Sequence, residues 1–315
     1  MSLLDFVRGA LPSQRRSKAQ VKRSQVLFDD DFQRRLETLA IVSRRVFAGR
    51  QRAERRSKKK GSGVEFADHR NYVPGDDFRF VDWNAYQRFG RLLVRLYEEE
   101  EDLSITFVLD CSRSMGFGDG AKFDQARRLC AALAYVGLAN LDRVGISAVG
   151  DTTLDRLPAT RGKGRIFKVF RFLSELEPNT HTDLGEALKM VVAQNKRRGM
   201  AVLISDLYDP QGFENGINVL RYNKFEPYVL HIVDPREATP KLKGDVRIYD
   251  CETGAEQEVT VTDELLGKME AAFSEYQREI ESFCVKNQVP YFRANTDAPF
   301  DELVLSVFRK GGFLR

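Results

Sequence analysis

The sequence predicts an α/β protein with a doubly wound, mostly parallel sheet, preceded by an added helical and strand–turn module. Three near-continuous apolar runs carry that expectation: SITFVLD at 104–110, MAVLISD at 200–206 and PYVLHIVD at 227–234. Runs of this length suit strands buried on both faces. Segments with helical spacing stand between them, and such alternation makes a parallel sheet covered by helices on both sides.

Residues 1–60 read as a basic helical segment. Phe32, Leu36, Leu39, Val42 and Val46 fall at helical spacing within 31–46, and a basic run follows from Gln51 to Lys60. Such a run is a solvated linker or docks on nucleic acid or an acidic surface. It has no interleaved aromatics, so a base-stacking platform is not indicated and nucleic acid is not the expected partner. Gly61-Ser-Gly63 marks a break, and 61–103 forms a strand–turn module. In it, Tyr72-Val-Pro-Gly-Asp-Asp77 is a turn, Pro74 fixing one dihedral and Gly75 freeing the next. Leu92, Val94 and Leu96 then alternate as in a half-buried strand.

The third region, 104–315, carries the α/β rhythm. Its strands are 104–110, 144–149, 200–206, 227–234 and 289–293. Its helices are 122–140, 165–176, 183–197, 213–222, 263–286 and 301–309, with a hairpin near the sheet edge at 245–261. No apolar run approaches the ~18–20 residues of a membrane span. The N-terminal stretch lacks a signal-peptide pattern. Cys111, Cys130, Cys251 and Cys284 are scattered with no CxxC pair, which predicts reduced thiols and a cytoplasmic protein.

Three strands end in an acid: Asp110, Asp206 and Asp234. In open α/β sheets ligands bind beyond the carboxyl ends of the strands. An extended loop after Asp110 would aim Asp110, Ser112 and Ser114 the same way, since alternate side chains share a face. Thr182 reads as the N-cap hydroxyl of the helix that follows, with Gly185 and Glu186 in its first turn. Hard oxygen donors on converging loops suit Mg²⁺, with Mn²⁺ or Ca²⁺ as alternatives, and the carboxylates act directly or through water. The three histidines and four cysteines form no cluster, so zinc is poorly supported. For each element alone, capping of a helix or loop is the competing explanation.

The order DxSxS (Asp110, Ser112, Ser114), a later Thr before a helix (Thr182), and an Asp closing an apolar strand (Asp206) resembles the metal-ion-dependent adhesion site of von Willebrand factor A domains. Upstream, Arg70-Asn-Tyr-Val-Pro-Gly-Asp-Asp-Phe-Arg-Phe-Val-Asp-Trp-Asn-Ala85 resembles the signature of the bacterial domain of unknown function 58 family, commonly associated with MoxR-type AAA+ ATPases. The likeness spans about residues 60–235. It implies hydroxyl ligands from Ser112, Ser114 and Thr182, with Asp110 and Asp206 acting largely through water. An open coordination position would accept a carboxylate from a protein partner, either the ATPase or its client. The chain lacks the transmembrane segments of the longer family members.

The resemblance therefore implies a non-catalytic protein-binding module. A magnesium-dependent phosphoryl-transfer hydrolase using Asp110 is the enzymatic alternative. Its common DxDx pattern needs a second acid where Ser112 stands. No GxxxxGK[ST] occurs, which excludes a P-loop NTPase. Nucleic-acid binding through the basic N-terminal arm is the remaining alternative. Met115 reads as core, Arg113 as a residue that could steer an acidic partner, and Cys111 as packed inward. In the strand–turn module, Tyr72, Pro74, Gly75, Asp76, Asp77, Arg79, Asp82 and Trp83 form either a structural motif of salt bridges and backbone bonds or a docking surface anchored by Trp83.

Overall fold

The computed structural model describes residues 27–48, 60–61, 65–98, 104–150, 154–178, 181, 183–240, 242, 244–249 and 256–310. Residues 1–26, most of the basic run 51–60, Thr182 and Cys251 lie outside the described residues. The chain divides into two compact units, 1–43 with 103–314 and 44–102 with Arg315.

The larger unit holds a six-stranded sheet. Its strands are β4 (Ser104–Asp110), β5 (Arg143–Val149), β6 (Leu154–Thr160), β7 (Met200–Ser205), β8 (Glu226–Val233) and β11 (Tyr291–Asn295), in spatial order β11-β8-β7-β4-β5-β6. Every neighbouring pair is parallel except β5–β6. This is the expected doubly wound α/β architecture. The antiparallel edge strand β6 was not apparent in the sequence: LDRLPAT carries Pro158 and its described side chains are exposed or only part-buried, so its apolar alternation is weak.

Helices cover both faces. On one lie α5 (Leu184–Gln194), α6 (Phe213–Tyr222) and α8 (Asp263–Lys286), whose Leu188, Ile217 and Tyr276 share a core with Val108 and Leu203. On the other lies α3 (Ala121–Ala139), packed against α4 (Ile166–Glu175) and α9 (Phe300–Lys310). Gly137 lets α3 approach closely, because a Cβ there would meet Val144 Cγ2 at 2.9 Å and Ile105 Cδ1 at 3.2 Å. The helix α1 (Asp30–Ala48) supplies Phe32, which packs on Phe170 and Phe300. The connections after β4 and β7 thus leave the sheet toward opposite faces, which opens a crevice between those two strand ends.

The hairpin expected near 245–261 is present as β9 (Gly244–Tyr249) and β10 (Glu256–Val261). It forms its own two-stranded sheet and does not extend the six-stranded one. Among the described residues no helix is long and apolar enough to cross a membrane.

The smaller unit has a three-stranded antiparallel sheet, β1 (Lys60–Gly61), β3 (Leu93–Glu98) and β2 (Glu65–Asn71) in that order. A short helix, α2 (Trp83–Phe89), also stands here, where the sequence suggested only strands and turns. Its cause is local: Asp82 caps it and Gly90, at φ 66, ends it in the left-handed conformation.

Candidate metal centre

Asp110 closes β4, and the register Leu109↔Ile204 sets the ends of β4 and β7 side by side. Its Oδ1 accepts the Ser112 N–H at 2.8 Å, and its Oδ2 accepts the Ser205 hydroxyl at 2.6 Å. Ser112 Oγ lies 3.0 Å from Ser114 Oγ. All three predicted residues are buried. The loop is not extended, however. Residues 113–116 form a 3₁₀ turn, and this turn, rather than strand alternation, brings the two hydroxyls together. Met115 is fully buried beneath it and Arg113 is exposed. Cys111 packs inward, and burial pushes its thiol far above the ordinary range, so it is inert.

Asp206 stands one residue beyond β7. Its Oδ1 accepts the Tyr208 N–H at 3.1 Å, and its Oδ2 accepts the Lys122 ammonium at 2.7 Å. Lys122 also donates to Glu237 Oε1 at 2.6 Å and lies 4.9 Å from the Tyr208 ring centroid. Burial opposes its charge, but Asp206 and Glu237 more than offset that and hold the ammonium protonated. Glu237 belongs to the short helix α7 (Pro235–Ala238) and returns its other oxygen to the Asp234 N–H at 3.2 Å, completing a capping box. The third strand-end acid, Asp234, is committed there: it accepts the Arg236 N–H and pairs with the Arg236 guanidinium at 2.6 Å.

Thr182 lies outside the described residues. The cap of α5 is its neighbour Asp183, whose Oδ1 accepts the Glu186 N–H at 2.9 Å, while Gly185 and Glu186 do occupy the first turn. Leu184 N–H donates to the buried Asp209 Oδ2 at 2.8 Å, which fixes the start of α5 to the loop after β7. The structure thus joins Asp110, Ser112, Ser114 and, through the Ser205–Asp206 step, Asp206 at one crevice. Sequence reasoning missed Ser205, Lys122 and Glu237.

The electrostatics are unbalanced. Asp206 and Glu237 share one ammonium, and Asp110, which feels the Asp206 charge, has only neutral donors, the Ser205 hydroxyl and the Ser112 N–H. Burial, then the Asp206 charge, push the Asp110 carboxyl up to about 7. A cation beside Asp110 would remove that penalty. The donors are all oxygen, two carboxylates and two hydroxyls, which fits Mg²⁺ or Mn²⁺ and not zinc. The fit depends on hydroxyls, since no three His, Cys, Asp or Glu among the described residues form a metal-holding group. Asp206 is the qualified member of the set, because a resident ammonium already faces it.

The acids of the smaller unit have a different environment. Asp76 takes both terminal nitrogens of Arg70 at 2.6 Å and the Val73 N–H at 2.8 Å. Asp77 caps the 3₁₀ turn Phe78–Phe80 and pairs with Arg79 at 2.6 Å. Asp82 accepts the Asn84 and Ala85 N–H groups at 3.0 Å and lies 2.9 Å from both Arg95 Nε and His69 Nε2. Gly75 takes φ 107 after Pro74, Tyr72 stacks on Phe78, and Trp83, 53% exposed, meets Tyr86 edge-on.

Known proteins resemble this chain at several levels. An uncharacterized protein of Mycobacterium tuberculosis (strain H37Rv) is 27% identical over 231 residues, 72% of this chain and 73% of that one. Among solved structures, an aerotolerance-related membrane protein from Bacteroides fragilis aligns with a TM-score of 0.42 at 15% identity, covering 66% of this chain and 97% of that one. The conserved hypothetical protein BatB from Bacteroides thetaiotaomicron aligns with a TM-score of 0.41 at 16% identity, covering 66% and 98%. The model of the protein family of unknown function DUF58 matches residues 68–279, which takes in both the Asp76–Asp82 turns and the Asp110–Asp206 crevice; the chain belongs to the DUF58 family.

Proposed function

We propose that this protein is a divalent-cation-dependent protein-binding module with no catalysis of its own. The observation that carries the reading is the buried set at the β4–β7 crevice: Asp110, its charge only partly relieved by two hydrogen bonds, beside the paired Ser112 and Ser114 hydroxyls. Asp110, Ser112 and Ser114 would hold the cation with Asp206 in support; Thr182, the further hydroxyl that the family resemblance implies, lies outside the described residues. The cation supplies a Lewis-acidic position for a carboxylate from the partner. Around it, the Ser205 hydroxyl orients Asp110, and Asp209 holds the loop after β7 to the start of α5. The hydrolase alternative lacks its general acid, because Ser112 stands at that position.

The family resemblance favours a MoxR-type AAA+ ATPase, or its client, as the partner, in protein maturation or complex assembly. A cytoplasmic setting suits the buried free thiols of Cys111, Cys130 and Cys284. Phe78, Trp83 and Phe89, all more than half exposed, give the smaller unit an aromatic face for a second contact. The test is capture of the ATPase by the wild-type chain in Mg²⁺ and in excess EDTA. Binding should be lost in EDTA and with Asp110→Ala; equal capture in both buffers rejects the metal-dependent reading.

A further inference from the structure

Lys122 breaks two local rules. It is the second residue of α3, in the helix's first turn, where the macrodipole favours an acid over a base. It is also fully buried, which is costly for an ammonium unless it is paired and hydrogen-bonded. Ala or Leu would serve the helix at least as well without the cost of burying a charge. What only a cation supplies is the charge, and its contacts show where that charge is used.

The ammonium joins three chain segments that are far apart in sequence. Its own helix follows β4. Asp206, at 2.7 Å, lies in the loop after β7, 84 residues away; Glu237, at 2.6 Å, lies in α7 after β8, 115 residues away. Tyr208, two residues past Asp206, sets its ring 4.9 Å from the nitrogen. Both Asp206 oxygens are therefore occupied, one by Lys122 and one by the Tyr208 N–H. An ion drawing on Asp206 has to share it with the ammonium and bear that ammonium's repulsion.

We propose that Lys122 is a resident counter-ion: it holds Asp206 and ties the loops after β4, β7 and β8 together without any divalent ion, and it weakens divalent binding by competing for Asp206. The second half rests on the metal reading above. With Lys122 in place, three carboxylates and one ammonium leave two negative charges for one divalent ion. Without it, three remain. The site is then stiff when empty and binds its ion loosely, so that ion and partner carboxylate assemble together.

The test uses the full chain, with Mn²⁺ as probe, thermal melting and calorimetric titration. In EDTA, Lys122→Met should melt about ten degrees below wild type, and Mn²⁺ should restore most of that loss. Its Mn²⁺ affinity should be about tenfold or more tighter. Lys122→Arg should stay near wild type in both measurements. Wild-type melting of Lys122→Met in EDTA, or an affinity no tighter than wild type, overturns the proposal. If Lys122→Met gives no folded protein, Glu237→Gln decides: it leaves the ammonium on Asp206 alone and should weaken Mn²⁺ binding several-fold, whereas a purely structural pair would leave the affinity unchanged. Mn²⁺ binding by Lys122→Met but not by wild type keeps the counter-ion and rejects the metal-dependent function. Binding by wild type without tightening in Lys122→Met rejects the competition and keeps the metal site. No binding by either protein rejects the metal-dependent function and the competition together, and the EDTA melts alone then decide the tie.

Discussion

The two units of this chain each gather three acids, and they treat them in opposite ways. In the smaller unit Asp76, Asp77 and Asp82 each face an arginine and cap a turn or helix, the first two near solvent and Asp82 buried. In the larger unit the buried Asp206 and the nearly buried Glu237 side chain share one ammonium, and the buried Asp110 beside Asp206 has none of its own. Acids supplied with their own guanidinium partners are structural and need nothing more. Buried acids that outnumber their cations keep a charge that a ligand can neutralise, so the second cluster is the one to read as a site.

The largest separation should come from Asp206→Ala. It leaves Lys122 with one partner in a buried network, and such losses run to about 3–5 kcal/mol. Asp77→Asn, at an exposed pair, should leave stability almost unchanged. Urea unfolding in EDTA measures both, and equal losses would erase the contrast. Asp110→Asn should act in the other direction. Asp110 carries a desolvated charge beside Asp206, so neutralising it should raise stability in EDTA by about 1–2 kcal/mol while abolishing the response to Mn²⁺. A variant that is both less stable in EDTA and still ion-responsive would contradict the assignment.

Acid titration sharpens the comparison. His231 is buried with Nδ1 2.9 Å from the Tyr291 hydroxyl, and burial lowers its pKa to about 3. Lys122 and Arg293 push the same way and Asp206 opposes them. Its folded pKa lies below the unfolded value of 6.5, so the folded state binds fewer protons. Stability from this group is complete above 6.5 and falls with acid by up to about 1.4 kcal/mol per pH unit. Asp110 has the opposite sign: its folded pKa is raised above 3.8, so acid below about pH 7 stabilises the fold. In EDTA the two effects oppose each other between pH 6.5 and 4, so acid should shift the wild-type melting temperature less than it shifts that of Asp110→Asn or His231→Gln. Asp110→Asn should expose the histidine loss, and His231→Gln should expose the aspartate gain. In the smaller unit Asp82 is held well below the usual carboxylate range by Arg95, the Ala85 N–H and His69. Its contribution is present above pH 3.8 and lost only as pH falls through and below that value. Trp83, the single tryptophan, reports that unit by fluorescence, so its transition should lag the acid response of the larger unit.

The legible part of the site was the part written along one strand end. Asp110, Ser112 and Ser114 are neighbours in sequence, and Asp206 closes an apolar run, so the chain order alone suggested that they meet. Even there the mechanism differed: a 3₁₀ turn, not an extended loop, pairs the hydroxyls. Lys122, Ser205 and Glu237 left no such trace. Their partners are 84, 95 and 115 residues away, and a lysine in a helix's first turn looks like surface until the sheet order places it between two loops. The same reason explains the fold. Core strands such as β7 announce themselves by continuous apolar residues, whereas β6 and α2 are set by an edge and a cap. Asp183, not Thr182, caps α5, a choice between adjacent polar residues that propensity does not resolve.

The smallest effect on stability, and the most informative on partners, should come from Trp83→Ala. The indole is about half exposed, and its α2 neighbours Tyr86 and Phe89 are exposed as well, so little packing is lost and the melting temperature should barely move. Mn²⁺ affinity should not change either, because the acids of this unit are satisfied by their own arginines. Binding of the protein partner is another matter. If the aromatic face is a second contact, removing its largest side chain should cost about tenfold or more in partner affinity, as truncated tryptophans at interfaces do. The competing outcome is equally plain: partner affinity unchanged by Trp83→Ala but lost with Asp110→Ala would confine recognition to the larger unit. The Asp76–Asp82 turns would then serve only to fold the smaller unit.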